Sequence, residues 1–243
     1  MNALLKNEII LTFRTWPVFI MAVGLPLFFF LFYSSMDMYK DPEMQKAFVQ
    51  SYMLTMTAFS MSSFGFFSFP VMIHSDKSDH YLTYIEHSPL SIRHYYLAKI
   101  IRVLVYYLIS ILVTFSVGAF VRGVELPPLR WLGAILLLLL ASFFFLSLGL
   151  LLAQIPSQQV MTIVANIAFL GLAIIGGSWM PIETFPKWLQ NISKLTPTYH
   201  VNQVVVQYAK DGDLLWKSLG IVLIYAIIIS GIALAIKHRT EVD

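Results

Sequence analysis

The chain of 243 residues has no cysteine and few charged residues. Without cysteine it forms no disulfide, no thiol nucleophile and no thiolate metal site. Charged residues make up 12% of the sequence and hydrophobic residues 58%, whereas soluble domains have about a quarter charged and about half apolar. With a mean hydropathy of +0.75, most of the chain requires lipid as its solvent. The 16 Lys and Arg lie between long apolar runs, which is typical of membrane-flanking positions and not of nucleic-acid binding.

The sequence also lacks the motifs of an energy source and of a catalytic centre. It contains no Gly-Lys dipeptide, so the phosphate-binding loop G-x-x-x-x-G-K-[ST] is absent. The apolar runs are nearly free of charge, with only Arg102 just inside one of them, which argues against ion-coupled transport. The acidic residues are scattered through the loops. We therefore predict no catalytic residue, and we expect any energy to come from another protein.

Histidines could supply a metal site without cysteine. Four of the six lie close together in the sequence, at His74, His80, His87 and His94. On a helix, seven residues span about 10 Å, which is too far for neighbouring histidines to share one ion, and Pro89 interrupts the run. We predict no metal site.

What the sequence does contain is six long apolar stretches, at about residues 17–35, 52–73, 100–121, 131–153, 160–177 and 216–236. A helix needs about 20 mostly apolar residues to cross the hydrocarbon core. The first stretch is short, but it carries no charge and begins with Pro17, a residue suited to a first helical position. No linker or internal repeat divides the chain. We predict an all-α integral membrane protein with six transmembrane helices, forming a single domain over residues 1–243.

Residues 2–16, ahead of the first stretch, alternate apolar and polar side chains with helical spacing. One side carries the apolar residues Leu4, Leu5, Ile9 and Phe13. This pattern predicts an N-terminal interfacial helix, and a loosely ordered terminus is the alternative. Charged residues interrupt the segment, so no cleavable signal is predicted.

Six spans put both termini on one side of the membrane. Lys and Arg divide eight and eight between the two sides, and their count therefore does not say which side this is.

A candidate substrate path or subunit face lies in the first, second and fifth stretches. Small residues spaced by three allow close approach of a helix, either within the chain or from a second subunit. Amide side chains near the start of the fifth stretch suit interhelical hydrogen bonds or substrate contacts. Phenylalanines in the first two stretches suit an amphipathic cargo, and lipid-facing packing explains them equally well. The candidates are Phe28, Phe64, Ala165, Asn166, Ala168 and Gly171.

The loop between the second and third stretches predicts a short amphipathic helix. It runs from Tyr81 to His87, follows Asp79, a good N-cap, and ends at the turn Ser88-Pro89-Leu90-Ser91. A short helix held at the membrane face between two spans can act as a lever that a partner protein pushes. A solvated connection is the alternative.

The segment between the fifth and sixth stretches predicts a pair of short helices. Gly176-Gly177 breaks the fifth span, and apolar residues then recur at helical spacing, first up to Pro197 and again at Val201, Val204 and Val205. Trp and Tyr side chains at headgroup depth are typical of the membrane interface. We therefore predict a re-entrant or interfacial helical hairpin.

These two loops resemble those of the type-2 ABC exporter permeases. The segment from Gly176-Gly177-Ser178-Trp179-Met180-Pro181 to Thr196-Pro197-Thr198-Tyr199 is similar to the family's paired glycines, aromatic residue, Pro, acidic residue, Leu-Pro, Trp-Leu and Asn-Pro-x-x-Tyr, with Thr196 in place of Asn. The loop that ends at Lys99 is similar to the family's coupling region through Ser88-Pro89-Leu90-Ser91. Its entry, Ser75 to Asp79, departs from the family's Glu-Arg-rich pattern.

The resemblance implies a permease subunit of an ABC exporter, dimeric with a second copy or a homologous permease. A cytoplasmic ATP-binding-cassette ATPase would hold ATP and Mg, and this chain would bind no cofactor. Membrane lipid surrounds it in the cell membrane of a bacterium, with both termini cytoplasmic. The cargo would be amphipathic or lipophilic: a drug, an antimicrobial peptide or a lipid-like molecule.

The resemblance also implies two groups of site residues. The ATPase-coupling group is Tyr81, Leu82, Tyr84, Ile85, Glu86, Ser88 and Pro89. The external-hairpin group is Gly176, Gly177, Pro181, Glu183, Pro186, Trp188, Pro197 and Tyr199. Two alternatives to an exporter stay open. An integral-membrane enzyme would need a catalytic cluster, whereas a sensor or resistance scaffold that does not transport would be distinguished by co-purification with an ATPase.

Overall fold

The computed structural model describes residues 8–12, 15–88 and 91–242. This part of the chain is helical and contains no strand. Six helices are long and apolar enough to cross a membrane, which confirms the predicted fold class. We call them spans 1 to 6: Trp16–Ser34, Pro42–Ser78, Ile92–Arg122, Pro128–Leu152, Gln158–Ile175 and Trp216–Arg239. The last helix continues to Val242.

Residues 8–12 are the described part of the predicted N-terminal helix, and they are helical. Leu4, Leu5 and Phe13, three members of its predicted apolar side, lie outside the described residues. Ile9 is exposed, as an interfacial helix requires, whereas Glu8 is buried. The position of this helix in the membrane interface stays a prediction.

Spans 2 and 3 each begin with polar turns that precede the apolar stretch. Span 2 begins at Pro42 because Asp41 caps it, accepting a hydrogen bond from the Glu43 backbone N–H at 3.0 Å. Span 3 begins at Ile92, where the Ser91 hydroxyl accepts from the backbone N–H of Arg93 at 3.3 Å. Hydropathy marks only the apolar stretch of a helix, so both apolar stretches begin later than the helices that contain them.

Span 2 is the most buried of the six spans. Its Ser60 hydroxyl donates to the Ala22 carbonyl of span 1 at 2.8 Å and accepts from Ser110 of span 3 at 2.7 Å. Near the π-helical turn Phe64–Ser68 the backbone of span 2 touches that of span 4. A Cβ on Gly65 would lie 2.7 Å from the Phe145 carbonyl oxygen, and one on Gly149 would overlap the Gly65 carbonyl oxygen. Glycine at these two positions allows the helices to cross this closely.

The connections between spans gather at two ends of the bundle. At one end Arg122 donates to the Leu31 carbonyl, and Arg130 donates to the Lys210 carbonyl at 2.6 Å. These cations satisfy carbonyls at helix C-termini, where positive charge is favourable. Residues 8–12, the short helix Tyr81–Glu86 and the end of span 6 lie at the other end. We call the two ends the hairpin end and the short-helix end.

The segment between spans 5 and 6 contains a 3₁₀ turn, Ile182–Thr184, and two helices, Lys187–Ser193 and Pro197–Asp211. The second helix buries Val201, Val204 and Val205, as their spacing predicted, and packs against spans 2, 4 and 6. The first helix leaves Trp188 exposed. Both predicted helices exist, and their placement as a re-entrant or interfacial hairpin stays a prediction.

Candidate functional site

A short helix, Tyr81–Glu86, lies between spans 2 and 3. The predicted N-cap Asp79 is wrong, because Asp79 instead ends span 2 and accepts from the Ser75 hydroxyl at 3.3 Å. The residue before the helix is His80, whose φ of 56° is left-handed. This conformation is uncommon outside glycine, although histidine adopts it more readily than most residues. It turns the chain back so that the short helix folds against span 3.

The short helix has one face packed on the chain itself. Ile85 is 1% exposed and lies in a small cluster with Tyr95 and Ala98 of span 3. Tyr81 and Leu82 pack partly against this cluster. Ile85 therefore packs the short helix against span 3, and in this conformation it is not available to a partner.

The opposite face points outward. Tyr84 is 69% exposed and is the most accessible apolar side chain of the helix. Ser88 ends the segment by donating its hydroxyl to the Ile85 carbonyl at 2.8 Å. Pro89 and the side chain of Glu86 lie outside the described residues. Of the predicted coupling residues with described side chains, Tyr84 is thus the most exposed, and the half-buried Tyr81 and Leu82 flank it.

Below the short helix, Tyr95 connects its apolar cluster to a network of buried charges. The Tyr95 hydroxyl donates to the Asp76 carboxylate of span 2 at 2.5 Å. The same carboxylate oxygen pairs with the Lys99 ammonium at 2.7 Å. Lys99 is only 2% exposed and lies 5.4 Å from the centre of the Tyr95 ring. The short helix is therefore joined to spans 2 and 3 by both apolar and ionic contacts.

The network continues to the N-terminal segment through Glu8. One Glu8 carboxylate oxygen pairs with Lys99 at 2.8 Å and the other accepts from Arg102 at 2.9 Å. Arg102 also donates to the Tyr106 hydroxyl at 2.6 Å and to the Thr15 hydroxyl at 3.2 Å. Each buried cation thus has a carboxylate partner, and two acids balance two bases. Buried charges are tolerated under these conditions, and removal of one leaves another uncompensated.

Sequence reasoning missed this network, which consists of the buried Glu8, Lys99 and Arg102 together with the half-buried Asp76 and which we call the buried network. It noted Arg102 only as a charge inside a span and Lys99 only as the end of a family pattern. A usable signal was present, because Lys99 and Arg102 are three residues apart and share one helix face. Two acids flanking apolar runs at the same membrane face were available to pair with them.

At the hairpin end, the structure explains why Gly176 and Gly177 are glycines. Gly177 has a φ of 74° and ends span 5 in the left-handed conformation. A Cβ on Gly176 would lie 2.6 Å from the Cβ of Thr198. The Asn202 amide donates to the Gly176 carbonyl and to the Ser178 hydroxyl, both at 3.1 Å. The glycines therefore allow the second hairpin helix to pack on the end of span 5.

A pocket of about 470 Å³ opens between the hairpin and the first turns of span 2. Its lining includes five of the predicted hairpin residues, namely Gly176, Gly177, Pro181, Glu183 and Tyr199. Burial raises the pKa of Tyr199, and the nearby Glu183 charge adds to the effect. The other three residues serve elsewhere: Pro186 and Pro197 begin the two hairpin helices, and Trp188 is exposed on the outside.

The candidate path residues divide into buried and exposed groups. Phe64 is fully buried against Phe19 and Tyr106, and Ala165 is fully buried too. The exposed residues are Phe28 on span 1 and Asn166 on span 5, whose amide donates to the Thr162 carbonyl at 2.8 Å. Ala168 is half-buried, and a Cβ on Gly171 would meet no atom within 4 Å. The structure thus places Phe64 and Ala165 inside the chain and leaves an open face on spans 1 and 5.

These features define a helical membrane protein whose short helix is tied to its spans by a neutral network of buried charges. Residues 37–235 match the family described as ABC-2 family transporter protein. The match covers most of the chain, and the chain belongs to this family.

Two relatives agree with this assignment. The chain is 26% identical over 217 residues to the putative transport permease YvfS of Bacillus subtilis (strain 168), which covers 89% of this chain and 88% of that protein. It is 32% identical over 95 residues to the probable multidrug ABC transporter permease YbhR of Escherichia coli (strain K12), covering 37% of this chain and 26% of that protein. The chain is therefore a multi-pass membrane permease subunit of an ABC transporter, and an ABC ATPase is its partner.

Proposed function

We propose that this permease exports an amphipathic or lipophilic substrate from a bacterial cell, using ATP and Mg held by the partner ATPase. The short helix, with Tyr84 outward, is the docking point of the ATPase. The short-helix end and both termini are then cytoplasmic, and the hairpin end is external. The observation that carries the proposal is the connection from the short helix through Tyr95 to the buried network.

The geometry supports a path for mechanical coupling. A push on Tyr84 reaches Ile85, which rests on Tyr95. Tyr95 bonds to Asp76 near the end of span 2, and Lys99 links Asp76 to Glu8 ahead of span 1. The three segments that the network joins therefore move together when the short helix moves.

A second permease copy, or a homologous permease, covers the open face of spans 1 and 5 in this proposal. Polar side chains within a span face protein or water far more often than lipid, yet Thr162 and Asn166 are exposed in the single chain. Phe28 is exposed on span 1. A partner subunit would cover these groups, and the substrate would pass between the two copies. A drug, an antimicrobial peptide or a lipid-like molecule fits such a mixed aromatic and polar lining.

Co-purification from native membranes tests the proposal. The chain should bring down an ATP-binding-cassette ATPase, and Tyr84→Ala should lose most of it, because a few exposed aromatic residues usually dominate an interface. Trp188→Ala is a matched control, since Trp188 is 65% exposed and lies at the other end. Equal recovery of the ATPase with Tyr84→Ala and wild type would refute docking at the short helix. Recovery of an ATPase without any ATP-dependent export would favour a sensor or resistance scaffold.

A further inference from the structure

A groove of about 440 Å³ lies between spans 3, 4 and 6, at the short-helix end of the bundle. Apolar side chains form most of its lining, among them Leu97, Phe143 and Leu234, and all three are substantially exposed in the groove. No residue of span 5 contributes to its described lining. A surface of this kind inside a membrane is in contact with lipid or with another protein.

The floor of the groove contains two serines, and the hydroxyl of each one is hydrogen-bonded. The hydroxyls of Ser147 on span 4 and Ser230 on span 6 bond to each other at 2.8 Å. Because each hydroxyl has a partner, the floor presents an apolar surface to an occupant. This suits a hydrocarbon chain, which offers no hydrogen bonds in return.

The mouth of the groove carries two cations. Arg93 at the start of span 3 and Lys237 at the end of span 6 both line it. Arg93 is exposed, and the Lys237 ammonium lies 4.5 Å from the centre of the Tyr96 ring. Both cations flank the apolar stretches of their spans, a position from which Lys and Arg commonly reach the lipid headgroups. No acidic residue contributes to the described lining.

The length of the groove fits an acyl chain. On span 6 the lining extends from Lys237 to Ser230, and on span 3 from Ile92 to Ile100. Seven or eight residues of helix correspond to about 10–12 Å, and half of the hydrocarbon core is about 15 Å thick. An acyl chain that enters beneath the two cations would therefore lie along most of the groove within one leaflet.

We propose that this groove is a binding site for an anionic phospholipid of the leaflet at the short-helix end. The phosphate of the headgroup lies against Arg93 and Lys237, and one acyl chain lies along the groove above the Ser147–Ser230 pair. Basic pockets between transmembrane helices bind anionic headgroups in this way. The proposal requires neither the ATPase nor a particular cargo.

Native mass spectrometry of the detergent-purified chain, titrated with dioleoylphosphatidylglycerol, tests the site. We expect one tightly bound phosphatidylglycerol and weaker binding of dioleoylphosphatidylcholine. Arg93→Gln with Lys237→Gln should weaken phosphatidylglycerol binding roughly 25-fold, at about fivefold for each cation, and should abolish the preference. The matched control is Lys187→Gln with Lys194→Gln, which removes the same charge at the hairpin end and should leave the preference unchanged.

A second variant tests the apolar part of the site independently. Leu97→Trp fills the groove and should weaken binding of both lipids at this site, whereas Leu129→Trp, on exposed surface at the hairpin end, should not. Equal binding of the two lipids by the wild type, or an unchanged preference in the charge variant, would overturn the proposal. Saturation of the site by glycerol phosphate would indicate a soluble anion instead of a lipid. Dimerisation that Leu97→Trp abolishes would indicate a second copy in the groove, and that result too would contradict the proposal.

Discussion

Replacement of Glu8 by Gln isolates the contribution of the buried network to stability. Glu8 is the carboxylate shared by Lys99 and Arg102. In Glu8→Gln the two cations face only the Asp76 carboxylate, so one buried positive charge has no partner. Removal of one member of a buried ion pair costs about 3–5 kcal/mol. For a protein of this size we expect the unfolding midpoint to fall by roughly 6–20 °C.

The assay is the thermal unfolding of detergent-purified protein, followed by size-exclusion chromatography after heating. Glu8→Gln combined with Arg102→Gln should be milder than the sum of the two single changes. The double variant restores neutrality and leaves Lys99 with Asp76, while the Thr15 and Tyr106 hydroxyls still bond to each other at 3.1 Å. A midpoint for Glu8→Gln within about 2 °C of wild type, or strict additivity in the double variant, would refute the reasoning.

A surface pair supplies the control for this experiment. Glu43 pairs with Lys46 at 3.2 Å, and both side chains are largely exposed. Exposed ion pairs contribute little to stability. Glu43→Gln should therefore unfold at the wild-type temperature, although it also changes one carboxylate to an amide.

Three further predictions concern packing, topology and energy. Gly149→Ala should destabilise the fold because the new Cβ overlaps the Gly65 carbonyl oxygen, whereas Gly220→Ala on span 6 should not, because its Cβ meets no atom within 4 Å; thermal unfolding compares the two. A cysteine introduced at Lys194 in this cysteine-free chain should react with a membrane-impermeant maleimide added outside intact cells, and labelling only from the inside would reverse the proposed orientation. The purified chain alone should hydrolyse no ATP, and turnover that persists after removal of contaminating ATPases would contradict this.

The six spans were predictable because lipid imposes a long apolar run on each helix, a signal that needs no knowledge of neighbours. The second hairpin helix was also predictable, since Val201, Val204 and Val205 repeat with the period of a buried helix face. A polar first turn carries no such signal. The polar first turns of spans 2 and 3 were therefore left out of the predicted spans.

The sequence also did not predict which face of the short helix packs against the chain. Tyr84 and Ile85 are adjacent and both apolar, so six residues do not say which of them faces the chain. The answer depends on the left-handed turn at His80 and on Tyr95, which lies in another helix. The buried network depends on pairing across more than ninety residues, from Glu8 to Arg102. Pairing over such a distance is a property of the fold and not of any local pattern.

If the three segments joined by the buried network move together, spans 1, 2 and 3 carry the movement to the hairpin end, and chemical labelling in the reconstituted complex tests this most directly. Gln203 lines the pocket beside the hairpin. The variant Gln203→Cys, whose cysteine is the only one in the chain, is combined with the ATPase that co-purifies with it. The account predicts that a membrane-impermeant maleimide labels this cysteine at different rates with ATP and Mg and without nucleotide, and that Tyr84→Ala removes the difference. Equal rates with and without ATP, in a wild-type complex whose ATPase is turning over, would contradict the account.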